Sequence, residues 1–446
     1  LEACVASCVG QVFAFGFGGT DDDPSVEWQG MGGNLTRNGI HVQPFAGSIA
    51  EGATLSGRFL ITGDVTIEAD ATVSILPDAT IEFDSDAHPV LEVYGQLSAL
   101  GQPGSEIAFR PDEERTAGSW VGIDLKPGSI ATLTSCLISG ATVGIKGSQA
   151  SLTVAGSSVL GNIVGARLAG CSLDAATSSF SHSDSLGMYL NGGDGIIIDC
   201  AFDGNVEAGL WCDNYASHEL IRDSFVNTTE GDGLRCYRHS SASVDTCTMS
   251  QNAGHGALVF TSSPNFRFCT ITDNGLNGAL CRRLAQPSFC WNTISGNTIG
   301  VSAESGANPH LGDGVNANTG NNSIMDNSVA GVANYTSNEQ PISVRYNWWG
   351  SYPPVGRPFI GNVRYYPCLQ QPPVYGIGGR IAGDLEEEAA PTIFRLGHCS
   401  PNPFNPVTSV DYDVPDSGGP IDISVFDVAG RLVTTLYSGY HDPGTH

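Results

Sequence analysis

A glycine recurs through the middle of the sequence at nearly constant spacing, and no other feature restricts the fold as strongly. From residue 140 onward, successive members are 21 to 24 residues apart, except for a last interval of 31. The series is Gly144, Gly165, Gly187, Gly209, Gly233, Gly256, Gly278, Gly300 and Gly331. A fixed period of this length indicates a repeat architecture in which each period is one structural unit.

Three further positions repeat together with the glycine. A mostly polar position lies three to four residues before the glycine. An apolar position lies three residues before that polar position, and a Cys, Ser or Asn lies two residues before the apolar one. In the turn before Gly233 this spacing assigns Ser224, Val226 and Thr229 to the three columns. The polar column reads Ala141, Asn162, Ser183, Asn205, Thr229, Asn252, Asn274, Asn297 and Asn327.

A period near 22 with alternating apolar residues inside it predicts one turn of a parallel β-helix. Each turn would hold three short strands, with equivalent residues stacked about 4.8 Å apart. We expect the Asn column to occupy tight turns, because Asn tolerates the left-handed conformation and its amide can hydrogen-bond to the next Asn in the column.

The composition agrees with an all-β chain and argues against nucleic-acid binding and against a transmembrane helix. Of 446 residues, 57 are Gly and only 15% are charged. The net charge of −27 argues against nucleic acid as the main partner, because phosphate binding needs a basic surface. No run of 18 apolar residues occurs, so we expect no transmembrane helix.

Segments on both sides of the repeats resemble a known family. Residues 62–111 and 118–125 (GSWVGIDL), together with 345–356 (RYNWWGSYPPVG) and 361–369, are similar to bacterial cell-surface β-helix proteins of the pectate-lyase-like superfamily. The resemblance covers roughly residues 52–369 and implies a right-handed, single-stranded parallel β-helix. It is more specific for fold and location than for activity, since the family includes lyases, hydrolases and adhesins.

The C-terminal part of the chain resembles a second family. PNPFNP (401–406) and IDISVFDVAGR (421–431) are similar to the immunoglobulin-like C-terminal domain of secreted bacterial surface proteins, related to the flagellar hook-assembly family. This implies export to the extracellular space or outer cell surface of a bacterium, and a partial β-sandwich whose open edge would allow self-association. The expected organisation is an N-terminal segment (1–33), the β-helix (34–369), a linker (370–391) and the partial sandwich (392–446).

Seven of the 13 cysteines lie in two inward columns and are interpreted as core residues, while Cys4 with Cys8 and Cys368 with Cys399 stay open as candidate pairs. Cys200, Cys247 and Cys269 share an inward column with Ser and Asn, which indicates small buried side chains and predicts reduced thiols. A disulfide between Cys212 and Cys236, on adjacent turns, stays open as an alternative. No Cys-x-x-Cys pair occurs, and the histidines lack metal-ligand spacing, so no metal site is predicted.

Two outward columns follow each repeated glycine, and they gather Arg with aromatic residues. Aromatic rings stack on the apolar face of sugars, while Arg binds carboxylates or sulfates through two contacts. We therefore predict binding of an acidic or sulfated polysaccharide on this face; the alternative is an ordinary solvated face with cross-strand pairs. The candidate binding residues are Tyr189, Trp211, Asp213, Arg235, Tyr237, Arg238, Arg282 and Arg283.

A polar break in the column just before the glycines suggests a catalytic alternative. Asp232, His255 and Asn277 occupy consecutive turns, and Asp232 would lie close enough to orient or charge the His255 imidazole. G-H-G at 254–256 resembles a segment of polygalacturonases, but their paired aspartates are absent. The alternative is a hydrogen-bonded polar patch without catalytic function.

The sequence favours a secreted or cell-surface, non-catalytic β-helix that binds glycan or forms part of an extracellular layer. The alternatives are a polysaccharide lyase or glycoside hydrolase acting on an acidic polysaccharide, and a self-assembling filament or coat subunit. No cofactor is required by this interpretation. Ca²⁺ is a candidate ligand of the acidic clusters at Asp21–Asp23 and Asp84–Asp86, with solvated turns as the alternative.

Overall fold

A computed structural model describes residues 6–8, 11–13, 43–113, 117–312, 319–336, 341–356, 358–373, 395–400, 409–414, 419–426, 431–441 and 444–445. The chain forms two compact units, Leu1–Pro373 and Val374–His446. Across these described ranges the secondary structure consists of strands and turns, and no helix suited to crossing a membrane is present.

The first unit is a parallel β-solenoid of about 14 turns. Each complete turn contributes one short strand to each of three faces, which we name sheets A, B and C in the order in which a turn visits them. The two long strands at the start, Gln43–Ile49 and Arg58–Ile67, run through both sheet A and sheet B. Every pairing along the three sheets is parallel, so equivalent residues of successive turns stack.

The strand bounds define the three faces. Sheet A continues with Thr80–Phe83, Ile107–Pro111, Cys136–Ser139, Ser158–Leu160, Ser179–Ser181, Ala201–Asp203, Ser224–Val226, Thr248–Ser250, Thr270–Thr272, Thr293–Ser295 and Ser323–Met325. Sheet B continues with Val90–Val93, Gly122–Leu125, Val143–Ser148, Val164–Ala169, Leu186–Asn191, Ala208–Asp213, Asp232–Tyr237, Ala257–Phe260, Ala279–Arg282, Ile299–Glu304, Ala330–Asn334 and Phe359–Ile360.

Sheet C has 11 strands. They are Ala53–Leu55, Thr72–Ile75, Gln96–Leu100, Ile130–Thr134, Ser151–Ala155, Ser172–Ala176, Asp194–Ile198, Ser217–Ile221, Ser243–Asp245, Asn265–Arg267 and Ser288–Cys290. A short pair, Ile342–Ser343 with Val363–Arg364, follows in the last turns, and near the N-terminus Ala6–Cys8 pairs antiparallel with Gln11–Phe13.

The core is built from stacked columns of inward side chains. In sheet A, the rings of Phe180 and Phe202 stack at 5.5 Å between centroids, and those of Phe202 and Phe225 stack at 5.0 Å. All three side chains are fully buried. Like residues meet because the parallel register places each position over its equivalent one turn away, as the repeats predict.

The Asn column forms the predicted amide ladder. Asn274 Nδ2 donates to Asn297 Oδ1 at 2.9 Å and to the Met249 carbonyl at 3.1 Å, while Asn274 Oδ1 accepts from the backbone N–H of Asn252. The expected left-handed conformation of the Asn residues is wrong. It falls on the residue before each of them, for example Gln251 and Asp273, with φ of 58° and 57°.

One turn has a different register from the one expected. Phe225, not Val226, pairs with Phe202. The backbone N–H of Thr228, not that of Thr229, donates to Asn252 Oδ1. The inward position assigned to Ser224 is therefore taken by Asp223. The physical reason is an extra residue between Thr228 and Gly233, which breaks the constant spacing on which the assignment rested.

The cysteine prediction is confirmed within the solenoid. Cys200, Cys247 and Cys269 are buried free thiols, as are Cys212 and Cys236, so the alternative disulfide does not form. The Cys247 and Cys269 thiols donate to backbone carbonyls of the preceding turn, at 3.4 and 3.3 Å. Cys and Ser interchange in this column because each supplies one small hydrogen-bond donor.

The second unit contains two small antiparallel groups of strands. Arg395–Ser400, Ser409–Val414 and Gly444–Thr445 form one, and Gly419–Phe426 with Leu432–His441 forms the other. The expected linker lies almost entirely outside the described residues. The immunoglobulin-like sandwich, its relation to the hook-assembly family and self-association through this unit stay predictions.

Candidate functional site

The candidate site lies on the outward side of sheet B, where the structure brings the predicted binding residues together. Tyr189 pairs with Trp211, and Trp211 pairs with Arg235, as the column pattern predicts. Exposure falls along this column from Lys146 and Arg167, which are exposed, to Ser302, which is buried. In this first outward column the exposed and half-buried positions therefore run from Lys146 to Leu258, and in the two columns beside it Arg282 and Arg283 are exposed as well.

Four aromatic rings form a continuous ladder along this face. The ring centroids of Tyr189 and Trp211 are 5.4 Å apart, those of Trp211 and Tyr237 are 5.2 Å apart, and those of Tyr237 and Phe260 are 5.1 Å apart. All four side chains are half-buried. We call these residues the ring ladder; Phe260 belongs to it although the sequence analysis did not select it.

Three guanidinium groups lie over rings of the ladder. Arg167 is 5.7 Å from the Tyr189 centroid, Arg235 is 5.4 Å from the indole of Trp211, and Arg283 is 5.5 Å from the Phe260 ring. Each distance is within the range of a cation–π contact. The arginines therefore fix ring positions as well as supplying charge.

Asp213 is the buried centre of a hydrogen-bonded cluster beside the ladder. Its side chain is 1% exposed, and both carboxylate oxygens accept from the Arg238 guanidinium, with Nε to Oδ1 at 2.6 Å. Tyr189 Oη donates to the same carboxylate at 2.9 Å. The fork of Arg238, which would suit a ligand carboxylate, is thus occupied by the protein's own acid.

The pKa values of this cluster reflect the same contacts. Burial works to raise the pKa of Asp213, but the hydrogen bonds from Arg238 and Tyr189 outweigh it and the pKa lies below its usual value. Burial, together with the bond to Asp213, raises the pKa of Tyr189. At neutral pH Asp213 is a carboxylate, and Tyr189 is a neutral donor.

Asp232 and Arg235 form a second ion pair on the face. Arg235 Nε donates to Asp232 Oδ2 at 2.7 Å, and both side chains are largely buried. Asp232 Oδ1 accepts from the backbone N–H of His255 at 2.9 Å. The expectation that Asp232 orients the His255 imidazole is therefore wrong, because the carboxylate binds the main chain of that residue instead.

The imidazole of His255 has a different partner. Its Nδ1 accepts from the backbone N–H of Asn277 at 3.1 Å, so in the neutral ring the proton resides on Nε2. Burial lowers the pKa of His255, and the weaker attraction of Asp232 does not restore it. Neutral His255 is thus a hydrogen-bond donor at Nε2 and has no free lone pair with which to accept a substrate proton.

Arg282 and Arg283 close the site at its C-terminal end. Arg282 Nε pairs with Glu304 at 2.9 Å, and both side chains are partly exposed. Glu304 lies in the same outward column, so its proximity follows from the repeat. The choice of Glu304 as the partner of Arg282 depends on side-chain rotamers, which the sequence pattern does not predict.

The calcium candidates divide in two. Asp21–Asp23 lie outside the described residues. In the turn at 84–86, Asp84 Oδ1 accepts from the backbone N–H of Asp86 at 2.9 Å, which closes the turn. Within the parts of the chain that the structure describes, no group of three or more His, Cys, Asp or Glu side chains is arranged to hold a metal ion.

The family model for the right handed beta helix region matches residues 116–265 and 186–348, which together exceed half of the chain. No curated protein sequence matches. Among solved structures, a point mutant of the periplasmic alginate epimerase AlgG is similar, with a TM-score of 0.50 and 10% identity over 71% of this chain and 78% of the epimerase.

A second AlgG structure has a TM-score of 0.49, with 11% identity over 70% of this chain and 78% of the epimerase. The catalytic unit of a GH87 α-1,3-glucanase from Streptomyces thermodiastaticus has a TM-score of 0.34, with 11% identity over 71% of this chain and 64% of the glucanase. At these identities the likeness concerns the fold alone.

Proposed function

We propose a function for this chain, which belongs to the right-handed β-helix family. The protein is non-catalytic, lies in the extracellular space or on the outer cell surface, and binds a glycan on the ring ladder of sheet B. The export half of the proposal rests on the resemblance of residues 396–446 to sorting domains of secreted bacterial surface proteins. The glycan half rests on the geometry of sheet B.

The ring ladder is the observation that carries the glycan proposal. Its four rings follow the solenoid axis with centroid spacings of 5.1 to 5.4 Å. This spacing is close to the repeat of sugar residues along a polysaccharide, so one chain would meet several rings. The half-buried rings offer apolar surface to sugars, and the exposed side chains of Arg167 and Arg283 offer hydrogen-bond donors to hydroxyls.

The geometry around His255 favours binding over catalysis. A lyase or hydrolase needs a positioned group that accepts a proton and another that donates one. His255 Nδ1 is engaged by Asn277, and the Asp232 carboxylate is engaged by Arg235 and by the main chain. Both residues of the predicted catalytic pair therefore have structural roles, which supports the polar-patch interpretation.

The test is glycan binding by variants of the ladder. Trp211→Leu keeps an apolar group against the cluster of Val164, Leu186 and Ala208, on which Trp211 packs, but removes the indole ring. We expect it to weaken binding of any glycan found on an array by about 1–3 kcal/mol, the range of base–aromatic stacking. Tyr346→Ala, which removes an exposed ring in the last turns of the solenoid, is the control and should bind as the parent does.

Product analysis separates the proposal from the enzymatic alternative. The bound glycan is incubated with the protein and examined for new reducing ends and for unsaturated products. Binding without either product is the expected result. Turnover of the glycan, or equal affinity of Trp211→Leu and the parent, would contradict the proposal.

A further inference from the structure

The charge on the ring-ladder face is mostly compensated within the face itself. Arg238 is paired with Asp213, Arg235 with Asp232, and Arg282 with Glu304. Further toward the N-terminus, the outward residue Lys146 is paired with Asp124. The enrichment in arginine that the sequence displays therefore does not translate into a strongly positive surface.

The two pairs at the centre of the face are also not easily opened. The acidic partners Asp213 and Asp232 have side chains that are 1% and 6% exposed. A ligand anion that displaced either of them from its arginine would leave a buried carboxylate without its cation, which is strongly unfavourable. The fork of Arg238 and the Nε of Arg235 are consequently closed to an incoming carboxylate or sulfate.

Two arginines differ from these. On this face, and among the residues that the structure describes, Arg167 and Arg283 have ring contacts but no acidic partner. They lie at opposite ends of the ladder, five turns apart, which is roughly 24 Å at the usual strand spacing. Between them the face offers rings, compensated ion pairs and hydroxyl groups.

Building on the proposed glycan function, we infer that the site selects a neutral or sparsely charged polysaccharide and discriminates against a densely charged one. A chain with an anion on every sugar would place most of its charges opposite compensated pairs. It would also meet the field of a chain with a net charge of −27. Widely spaced charges, in contrast, can reach Arg167 and Arg283 while neutral sugars stack on the rings.

The test compares neutral polysaccharides with densely carboxymethylated derivatives of the same backbones. Dissociation constants are measured by affinity electrophoresis at 50 and 300 mM NaCl on the whole protein. We expect at least one neutral backbone to bind, its carboxymethylated form to bind no tighter, and the salt dependence of any charged form to correspond to about two released counterions.

Glu304→Gln sharpens the test, because it frees the partly exposed Arg282 without creating a buried cavity. The affinity for carboxymethylated relative to neutral glycan should rise several-fold, and the salt slope should increase by about one. Glu219→Gln, an exposed acid on sheet C, is the control and should leave the ratio as in the parent. An unchanged ratio in Glu304→Gln would contradict the inference.

The outcomes separate this inference from the proposal on which it rests. If the parent binds carboxymethylated glycan ten times more tightly than the neutral form, with a salt slope near five, the inference is wrong while glycan binding stands. If no backbone binds in either form, both the inference and the proposed function are overturned. Preference for the neutral form, lost in Trp211→Leu, supports both.

Discussion

Asp223 Oδ1 accepts a hydrogen bond of 2.8 Å from the backbone N–H of Cys200, one turn earlier in the solenoid. The Asp223 side chain is buried, and its Oδ2 has no hydrogen-bond partner among the described residues. Other members of this inward column, such as Ser157 and Asn292, donate to a carbonyl of the preceding turn. An Asp fills the same role only as a neutral acid, which carries a hydroxyl donor.

The first prediction concerns the effect of Asp223 on stability between about pH 4 and pH 8. Burial raises the pKa of Asp223 to about 8, and the N–H of Cys200 opposes this only in part. The folded state thus holds a proton that the unfolded state, with a pKa near 4, has lost, so the contribution of Asp223 to stability falls as pH rises from about 4 to about 8. The charged groups nearest to it are the exposed Asp199–Arg222 pair.

Asp223→Asn should remove this dependence, since Asn occurs naturally in the column at Asn292. At pH 8 the variant should be more stable by a few kcal/mol, at most on the order of 1.4 kcal/mol per pH unit between the two pKa values. Thermal melts from pH 4 to 9 measure it. Asp174→Asn, an exposed position on sheet C, serves as control. Equal pH profiles for Asp223→Asn and the parent would refute the neutral acid.

The second prediction concerns His218, which lies inside the solenoid on the strand Ser217–Ile221. Burial lowers its pKa to about 4, with a weaker opposing effect of Asp194, and neither ring nitrogen has a partner among the described residues. The pKa of His218 in the folded state is below its unfolded value of about 6.5. Between about pH 6.5 and 4 the unfolded state therefore binds a proton that the folded state does not, and the stability of the fold decreases as pH falls.

His218 and Asp223 therefore act in opposite directions between pH 4 and 6.5. The parent should be nearly insensitive to pH there as far as these groups are concerned. His218→Leu should lose stability as pH rises through this window, and Asp223→Asn should gain it. Chemical denaturation of both variants at pH 4.5 and 6.5 measures the two slopes, and slopes of the same sign would contradict the assignment.

The third prediction concerns the Asn ladder. Asn274→Ala removes the acceptor of the Asn252 N–H and the donor to the Met249 carbonyl, both buried. Each unsatisfied group costs about 1–3 kcal/mol, so the midpoint of thermal unfolding should drop by several degrees. Asn265→Ala, exposed on sheet C, is the matched control, and an equal effect of the two substitutions would show that the ladder does not stabilise the turn.

The fourth prediction concerns thiol reactivity. Burial raises the pKa of Cys200 and of Cys269 to about 12, and the alkylating agent needs an accessible thiolate. We expect neither thiol to be modified by iodoacetamide in the native protein and both to be modified after denaturation. Mass spectrometry of the labelled peptides reads this out, and native labelling of Cys269 would exclude the packing described here.

The repeated columns made most of the solenoid predictable, because a parallel stack places each residue over its equivalent. The misassignment of Ser224, Val226 and Thr229 shows where this fails. Asp223 and Ser224 are both polar, and Phe225 and Val226 are both apolar, so pattern alone does not reveal a shift of one residue. The pairing of Phe202 with Phe225 and the hydrogen bond between Thr228 and Asn252 decide it.

The relative positions of the candidate residues on sheet B were predictable, but their hydrogen bonds and ion pairs were not. The columns correctly placed Tyr189 beside Trp211, and Asp213 near Arg238. They did not predict that Arg238 folds back on Asp213, or that Asp232 binds the main chain of His255 rather than its ring. Such contacts depend on rotamers and local hydrogen bonds, which the periodic sequence pattern does not encode.

The extra residue between Thr228 and Gly233 disturbs nothing beyond its own corner. Sheet A is in register at Phe202 and Phe225 before it, and sheet B is in register again at Ala208 and Asp232 after it. A corner of this solenoid can therefore take up an inserted residue while the strands on both sides of it keep their register. Loops that border the ring-ladder face can thus change in length at one turn without a change in the register of the neighbouring turns.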